Sequence, residues 1–126
     1  MQVAGDVTSG LGDGARYVGM DAYQERFEAA VGFTPFPGTL NLAMEPDEKR
    51  ALRDAADHVR IDAFTVDGDR YSAVDAYHML VEGEAAALLE MEITEHPPRI
   101  AEVIAPVNLR QELGLEDGDT VTCRPR

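Results

Sequence analysis

Short strand-like segments separated by turn signals fill the second half of the sequence. The dipeptide Asp-Gly occurs in the turn Asp-Gly-Asp, a hairpin signal, and Glu-Gly-Glu marks the next turn. A polar loop with two prolines follows, and Glu-Asp-Gly-Asp begins the last turn before a closing strand. Many short strands with few helices predict a small β-barrel with appended helices. Strands are predicted over 2–8, 59–66, 70–81, 85–93 and 100–104, before the closing strand.

Two helices and a third short one are predicted. Asp21 can cap the first helix, with Gln24 three residues later as in a capping box, and Gly32 ends it. Pro46 suits the first turn of a second helix over 46–57, which is polar enough to lie on the surface. Pro106 begins the short third helix. These helices add to the strands without changing the mainly β class.

The charge of the chain is strongly acidic. Its 24 acidic residues outnumber 11 basic ones, which gives a formal net charge of −13, and Lys49 is the single lysine. Acidic residues are mixed with apolar ones along the chain, so they do not form a disordered acidic tail. Binding of duplex nucleic acid requires a surplus of Lys and Arg, so the charge argues against that partner. An acidic surface poor in lysine is typical of halophilic archaea.

We expect folding of this chain to depend on salt. Repulsion among 13 uncompensated negative charges is tolerable where salt screens it, and the Debye length falls to about 3 Å at 1 M ionic strength. Thermal unfolding measured in dilute buffer and in about 1 M KCl should therefore show a clear rise in Tm with salt. Full stability in dilute buffer would contradict this expectation.

Cys123 is the single cysteine, which excludes an internal disulfide and suits a reducing cytoplasm. Its alternating position near the C-terminus predicts burial in a strand rather than reactivity. No apolar run reaches the roughly 18 residues of a membrane span, and the N-terminus lacks a signal pattern. The sequence therefore predicts a cytoplasmic protein with no membrane partner.

A glycine-rich stretch, GLGDGARYV, runs from Gly10 to Val18. It formally satisfies the dinucleotide fingerprint G-x-G-x-x-G/A, which requires a helix starting inside the motif and a βαβ frame. Residues 16–18 are predicted to be extended, with the next helix at Asp21, so this interpretation is rejected. Two alternatives stay open: a nest of backbone N–H groups that binds an anion, or a mobile hairpin tip.

The segment PFPGTLNL follows the first helix and alternates as a half-buried strand would. Side chains i and i+2 of a strand point the same way, so Thr39 and Asn41 share a face opposite Leu40 and Leu42. Two uncharged oxygen donors could bind a hard cation that phosphate oxygens already hold, since Mg²⁺ takes few protein ligands. The alternative is a Thr/Asn pair that satisfies the edge of a turn.

Two charged residues near the C-terminus are further candidates. Glu102 interrupts the apolar run 100–104, where a buried carboxylate is costly unless it is paired or used; alternation equally allows a solvent-facing position. Arg110 could contact a phosphate or a base, or it could form a surface salt bridge that contributes little.

Three segments in a fixed order resemble the archaeal CTP-dependent riboflavin kinase family. They are SGLGDGARYV, YQERFEAAVGFTPFPGTLNL and AEVIAPVNLRQELGLEDGDTV, and the resemblance covers nearly the whole chain. The resemblance implies a six-stranded cradle-loop barrel of the RIFT type with two or three short appended helices. It also implies one riboflavin kinase domain over 1–126 without an N-terminal winged-helix domain.

The resemblance assigns roles to individual residues. Thr39 and Asn41 match the Mg²⁺ ligands, and Thr94 and Glu102 match the flavin contacts, with Glu102 as the candidate base. The nucleotide-binding positions are Gly10, Leu11, Gly12, Asp13, Gly14, Ala15, Val107, Asn108, Leu109 and Arg110.

The implied activity is transfer of the γ-phosphate of CTP to the 5′-hydroxyl of riboflavin, which yields FMN and CDP. The implied partners are the two substrates and Mg²⁺, and the protein is expected to be a monomer. One alternative is a non-catalytic flavin- or nucleotide-binding barrel. Another is a swapped-hairpin DNA-binding protein, suggested by LRQELGLEDGDTV and disfavoured by the net charge of −13.

Overall fold

The computed structural model describes residues 1–9, 13–91 and 98–126. Most of the secondary structure in these residues is β, as predicted. The strands are β1 (Val3–Thr8), β2 (Leu40–Ala43), β3 (His58–Ile61), β4 (Phe64–Val66), β5 (Asp69–Tyr71), β6 (Val74–Val81), β7 (Glu84–Met91), β8 (Ile100–Ile104) and β9 (Thr120–Pro125).

Six antiparallel strands close into a barrel. Their order is β6-β7-β8-β2-β1-β9, and pairing of β9 with the far end of β6 completes the ring. The long strand β6 also pairs with β3, which extends the sheet beyond the barrel. The predicted six-stranded barrel is therefore confirmed. Because β1 pairs antiparallel with both of its neighbours, β2 and β9, the glycine-rich stretch does not lie in a βαβ frame.

Four helices are described, one more than predicted. They are α1 (Asp13–Val18), α2 (Asp21–Val31), α3 (Pro46–Ala55) and α4 (Leu109–Glu112). The extra helix is α1, so the predicted extended conformation of residues 16–18 is wrong. Val18 is fully buried and the Tyr17 ring meets the Tyr23 ring edge-on at 6.4 Å, so tertiary packing overrides the β preference of these residues. No helix in the described ranges is long and apolar enough to cross a membrane.

The predicted capping box on α2 is also wrong. The helix begins after Met20, with no side-chain cap at its first turn. The Gln24 side chain instead donates from Nε2 to the carbonyl of Val18 at 2.6 Å and to that of Pro35 at 3.1 Å. Gln24 thereby ties α2 to the proline segment that enters β2. The predicted end of α2 at Gly32 is confirmed, with φ of 83°.

The two predicted tight turns are present. Asp67 and Gly68, with φ of 50° and 84°, join β4 to β5, and Glu82 and Gly83 join β6 to β7. Two successive positive φ values match the twist of a two-residue hairpin, which explains the Asp-Gly preference. The predicted strands 59–66 and 70–81 each break in two. The small β4-β5 sheet lets Phe64 and Tyr71 pack their rings on Tyr23 of α2.

Two apolar clusters lie on opposite sides of the barrel sheet. One fills the barrel interior with alternate residues of its six strands and is closed by Leu52 of α3 and Leu109 of α4. The other covers the outer face beneath α1 and α2 and includes Tyr23 and Phe27. The side of the sheet on which a strand residue lies therefore follows from its cluster.

Cys123 lies in the barrel interior, as predicted. Burial raises the pKa of its thiol to about 12, so the thiol stays protonated at neutral pH. An exposed thiol has a pKa of about 8.5. We expect no reaction of the native protein with a thiol reagent at pH 8 and complete reaction after unfolding. Rapid labelling of the folded protein would contradict the interior position.

Candidate functional site

Asn41 and Glu102 lie opposite each other on neighbouring strands. Asn41 of β2 pairs in register with Glu102 of β8, and both side chains are buried, with exposed fractions of 8% and 3%. Their strand neighbours Leu40 and Val103 belong to the interior cluster. Because successive side chains alternate, Asn41 and Glu102 lie on the outer face of the barrel. These are the two polar residues buried among those described.

Glu102 is buried, so the solvent-facing alternative is wrong. Leu89 lies on its other side, in register on β7, and belongs to the outer cluster. The charge of Glu102 acts on Lys49 of α3. Burial lowers the pKa of Lys49, and the carboxylates of Glu90 and Glu102 oppose that shift. Burial of a carboxylate costs free energy of desolvation, and buried carboxylates are found more often at functional sites than elsewhere.

Lys49 is half-buried and is tied to the barrel by a hydrogen bond. Its Nζ donates to the carbonyl oxygen of Ile100 at 2.8 Å, two residues before Glu102. Lys49 therefore fixes the first residue of β8 to α3. The single lysine of the chain thus acts on the strand that carries Glu102, which the sequence did not predict.

The Oδ1 atom of Asn41 is buried and accepts no hydrogen bond from any residue that the structure describes. A buried acceptor without a donor costs free energy, about 1–3 kcal/mol, unless something satisfies it. An uncharged oxygen of this kind is a suitable ligand for a hard cation such as Mg²⁺. The described residues include no cluster of three His, Cys, Asp or Glu side chains that would hold a metal by itself. The donor set at Asn41 therefore fits a cation held partly by another molecule.

A cleft of about 180 Å³ lies beside Leu40 and Val103, the paired strand residues next to Asn41 and Glu102. Thr39 lines the cleft just before β2 begins, whereas Asn41 is not among the lining residues. The cleft brings two separate sequence segments together. Its lining residues are Phe36, Gly38, Thr39, Leu40, Val103, Ala105, Val107, Asn108, Leu109 and Arg110. All four predicted nucleotide-binding residues of 107–110 therefore meet the predicted metal-binding Thr39.

Asp117 connects Arg110 of this cleft to Ser9, the residue before the glycine-rich stretch. One carboxylate oxygen accepts from the Ser9 hydroxyl at 2.6 Å, and the other accepts from the Arg110 guanidinium at 2.8 Å. The bond from Ser9, then that from Arg110, holds the pKa of Asp117 below its ordinary value. Arg110 therefore forms the surface salt bridge foreseen as one alternative while also lining the cleft. Ser9 directly precedes Gly10 in the sequence, so Asp117 links Arg110 to the residue before the glycine-rich stretch.

Several predicted site residues lie outside the description. Gly10, Leu11, Gly12 and the flavin residue Thr94 fall outside the described residues. Residues 13–15 form the first turn of α1. A helix thus begins inside the glycine-rich stretch, contrary to prediction, and the dinucleotide interpretation fails on the antiparallel pairing of β1 instead.

Comparison with known proteins identifies the family. The family model of the CTP-dependent riboflavin kinases, described as a domain of unknown function (DUF120), matches residues 7–124. The chain belongs to this family. A riboflavin kinase of Pyrobaculum arsenaticum is 42% identical over 123 residues, which cover 96% of this chain and 59% of the relative. A riboflavin kinase of Thermococcus kodakarensis is 44% identical over 122 residues, covering 94% of this chain and 56% of the relative.

A third relative, the riboflavin kinase of Ignicoccus hospitalis, is 40% identical over 123 residues, covering 96% of this chain and 69% of that protein. The chain therefore spans between 56% and 69% of the length of these three relatives. The family resemblance inferred from the glycine-rich stretch, the PGTLN segment and the C-terminal segment is confirmed.

Two residues of this site were not predicted from the sequence. Phe36 lines the cleft with an exposed ring, and Asp117 binds Arg110. The prolines around Phe36 predict an extended backbone, but they do not predict where the Phe36 ring lies. Asp117 lies in a turn, and a turn acidic residue alone does not indicate its partner.

Proposed function

We propose that this chain transfers the γ-phosphate of CTP to the 5′-hydroxyl of riboflavin, producing FMN and CDP. The observation that carries the proposal is the unsatisfied Oδ1 of buried Asn41 directly opposite buried Glu102. An acceptor suited to a hard cation beside a carboxylate suited to a proton is what phosphoryl transfer needs at the reacting atoms. The name of the family, CTP-dependent riboflavin kinase, supports riboflavin as the acceptor and CTP as the donor.

The nucleotide would lie between two segments of the chain. The proposed contacts are residues 107–110 in the cleft and residues 10–15, which follow β1 in the sequence. Asp117 supports the pairing, because it bonds both Arg110 and Ser9, the residue before Gly10. Arg110 would contribute positive charge toward the phosphates in an otherwise acidic protein. In this arrangement backbone N–H groups and one arginine take the place of a P-loop lysine.

Thr39 and Asn41 would hold Mg²⁺ at the junction between the cleft and the outer face. When bound, Mg²⁺ neutralises charge that develops on the transferring phosphoryl group. Thr39 lines the cleft just before β2, and Asn41 has a buried oxygen two residues later on β2. The two residues would thus direct the triphosphate from the cleft toward Glu102.

Glu102, with Thr94, would bind the flavin, and Glu102 is the proposed base. In the transfer, the ribityl 5′-oxygen forms a bond to the γ-phosphorus while the bond from that phosphorus to the β–γ bridging oxygen breaks. The hydroxyl proton passes to the Glu102 carboxylate, and the electron pair of the broken bond leaves with CDP. Holding both substrates in line accounts for much of such a rate enhancement, roughly 7–11 kcal/mol in favourable cases.

A donor panel tests the proposal. Riboflavin is incubated with CTP, ATP, GTP or UTP in high salt, with and without Mg²⁺, and FMN is measured by chromatography. We expect FMN with CTP and Mg²⁺ and far less with the other donors. FMN formed with ATP alone would contradict the assignment of CTP as the donor. Failure to form FMN from any donor would contradict kinase activity and leave a non-catalytic binding barrel.

We further propose that residues 1–126 act as one monomeric cytoplasmic domain with small-molecule substrates and no nucleic-acid partner. The acidic charge of −13 supports the last point. Light scattering in high salt measures the mass of the particle directly, and a mass of twice the chain's 13.7 kDa would contradict the monomer.

A further inference from the structure

Two exposed apolar side chains line the same cleft. Phe36 and Val107 have exposed fractions of 39% and 38%, and with the N-terminal Met1 they are the large exposed apolar residues of the described chain. Both contribute to the cleft of about 180 Å³. They come from segments about 70 residues apart. Exposed apolar groups gathered in one concave site are typical of a ligand surface rather than of ordinary surface scatter.

The backbone around Phe36 is fixed even though its ring is exposed. The Phe36 N–H donates to the carbonyl of Ala105 at 2.8 Å, and its own carbonyl accepts from the Gly38 N–H at 2.7 Å. A Cβ placed on Gly38 would lie 3.2 Å from Cε1 of the Phe36 ring, so the absence of a side chain there lets the ring approach the backbone. The backbone that carries the ring is therefore fixed before a ligand binds, which reduces the entropy cost of binding.

The polar part of the cleft complements these apolar walls. Asn108 accepts from the Gln111 N–H through Oδ1 at 3.2 Å and so caps α4. Arg110, ion-paired with Asp117 at 2.8 Å, lies two residues later and lines the same cleft. An aromatic ring, a branched aliphatic side chain and a guanidinium in one cleft suit a flat heteroaromatic ring that carries phosphate. The flavin ring is a poorer fit. Its proposed contact Glu102 lies on the outer face, whereas the adjacent Val103 lines the cleft.

We infer that Phe36 and Val107 form the apolar walls that hold the planar base of the nucleotide donor, with Phe36 stacking on the base. This inference rests on the proposed function, because it requires a nucleotide in the cleft. It adds a nucleotide-binding residue, Phe36, outside the glycine-rich stretch and outside 107–110. The triphosphate of the bound nucleotide would then extend from the base past Thr39, which lines the same cleft.

Binding measurements with and without the base test the inference. CTP and inorganic tripolyphosphate are titrated by calorimetry, and riboflavin by fluorescence quenching, against the wild type and three Phe36 variants in high salt. Phe36→Ala and Phe36→Leu should weaken CTP binding by about 10- to 100-fold, the range for loss of one base–aromatic stack. Tripolyphosphate binding should stay unchanged, and Phe36→Tyr should bind CTP as the wild type does.

A matched control is Phe33→Ala, in the same segment, because Phe33 lines a different surface depression. It should leave CTP binding unchanged. Unchanged CTP affinity in Phe36→Ala overturns the inference while FMN formation by the wild type keeps the proposed function. Equal loss of tripolyphosphate binding, or loss of riboflavin binding in place of CTP binding, also overturns it. A wild type that binds no nucleotide overturns both.

Discussion

Replacing Asn41 with leucine should lower FMN formation by about 100- to 1,000-fold while raising the free energy of unfolding by about 1 kcal/mol. The two effects have one cause. The buried Oδ1 of Asn41 has no donor among the described residues, so it costs stability in the free protein, and leucine of similar shape removes that cost. The same oxygen is the proposed ligand for Mg²⁺. Turnover measured across a Mg²⁺ titration and chemical unfolding without substrates are the two readouts.

Thr122→Val is the matched control for Asn41→Leu. Thr122 lies on β9, between the interior residues Val121 and Cys123, and it is half-buried. Exchange of its hydroxyl for a methyl group removes a polar group from the outer side of another barrel strand. We expect wild-type turnover from this variant. An Asn41→Leu protein that loses stability and keeps its Mg²⁺ dependence would show that the oxygen is a structural partner instead.

Replacing Glu102 with glutamine should reduce turnover by about 100- to 10,000-fold with riboflavin affinity retained. Loss of a general base has an effect of this size, and glutamine keeps the shape and one acceptor oxygen of the side chain. Single-turnover FMN formation and riboflavin fluorescence quenching separate the two roles. A fall in kcat with an unchanged Kd supports a base, since the amide cannot take the hydroxyl proton.

Glu84→Gln provides the control for the charge change. Glu84 begins β7 in the same sheet but is exposed, so its substitution alters net charge equally without touching the buried face. Thermal unfolding of both variants in high salt verifies that the fold is kept. If Glu102→Gln retains full turnover, the base assignment fails and a binding role for Glu102 remains.

The barrel could be predicted because its turns are encoded locally. Asp67 and Gly68 adopt positive φ, and few residue pairs other than Asp-Gly or Asn-Gly do so readily, so the hairpin is visible in the sequence. The alternation of Leu40, Asn41 and Leu42 likewise predicted which side chains face the interior. Short-range backbone chemistry and a period of two thus determined most strands.

Features that depend on distant partners could not be predicted in this way. Helix α1 forms because Val18 and Tyr17 pack on α2, although their intrinsic preference is for strands. Gln24 fits a capping box by spacing, yet its amide bonds the carbonyls of Val18 and Pro35. The burial of Glu102 was undecided because alternation alone does not show what covers the outer face. Tertiary packing decides each case.

Transfer of a labelled γ-phosphate from CTP to riboflavin is the most direct test of the central claim. The wild-type chain is incubated in high salt with riboflavin, Mg²⁺ and γ-labelled CTP, and FMN, CDP and the label are quantified together. We predict equimolar FMN and CDP, all of the transferred label in FMN, and loss of both products in Asn41→Leu. Release of CDP without labelled FMN, or no reaction, would contradict a riboflavin kinase site at Asn41 and Glu102 on the outer face of the barrel.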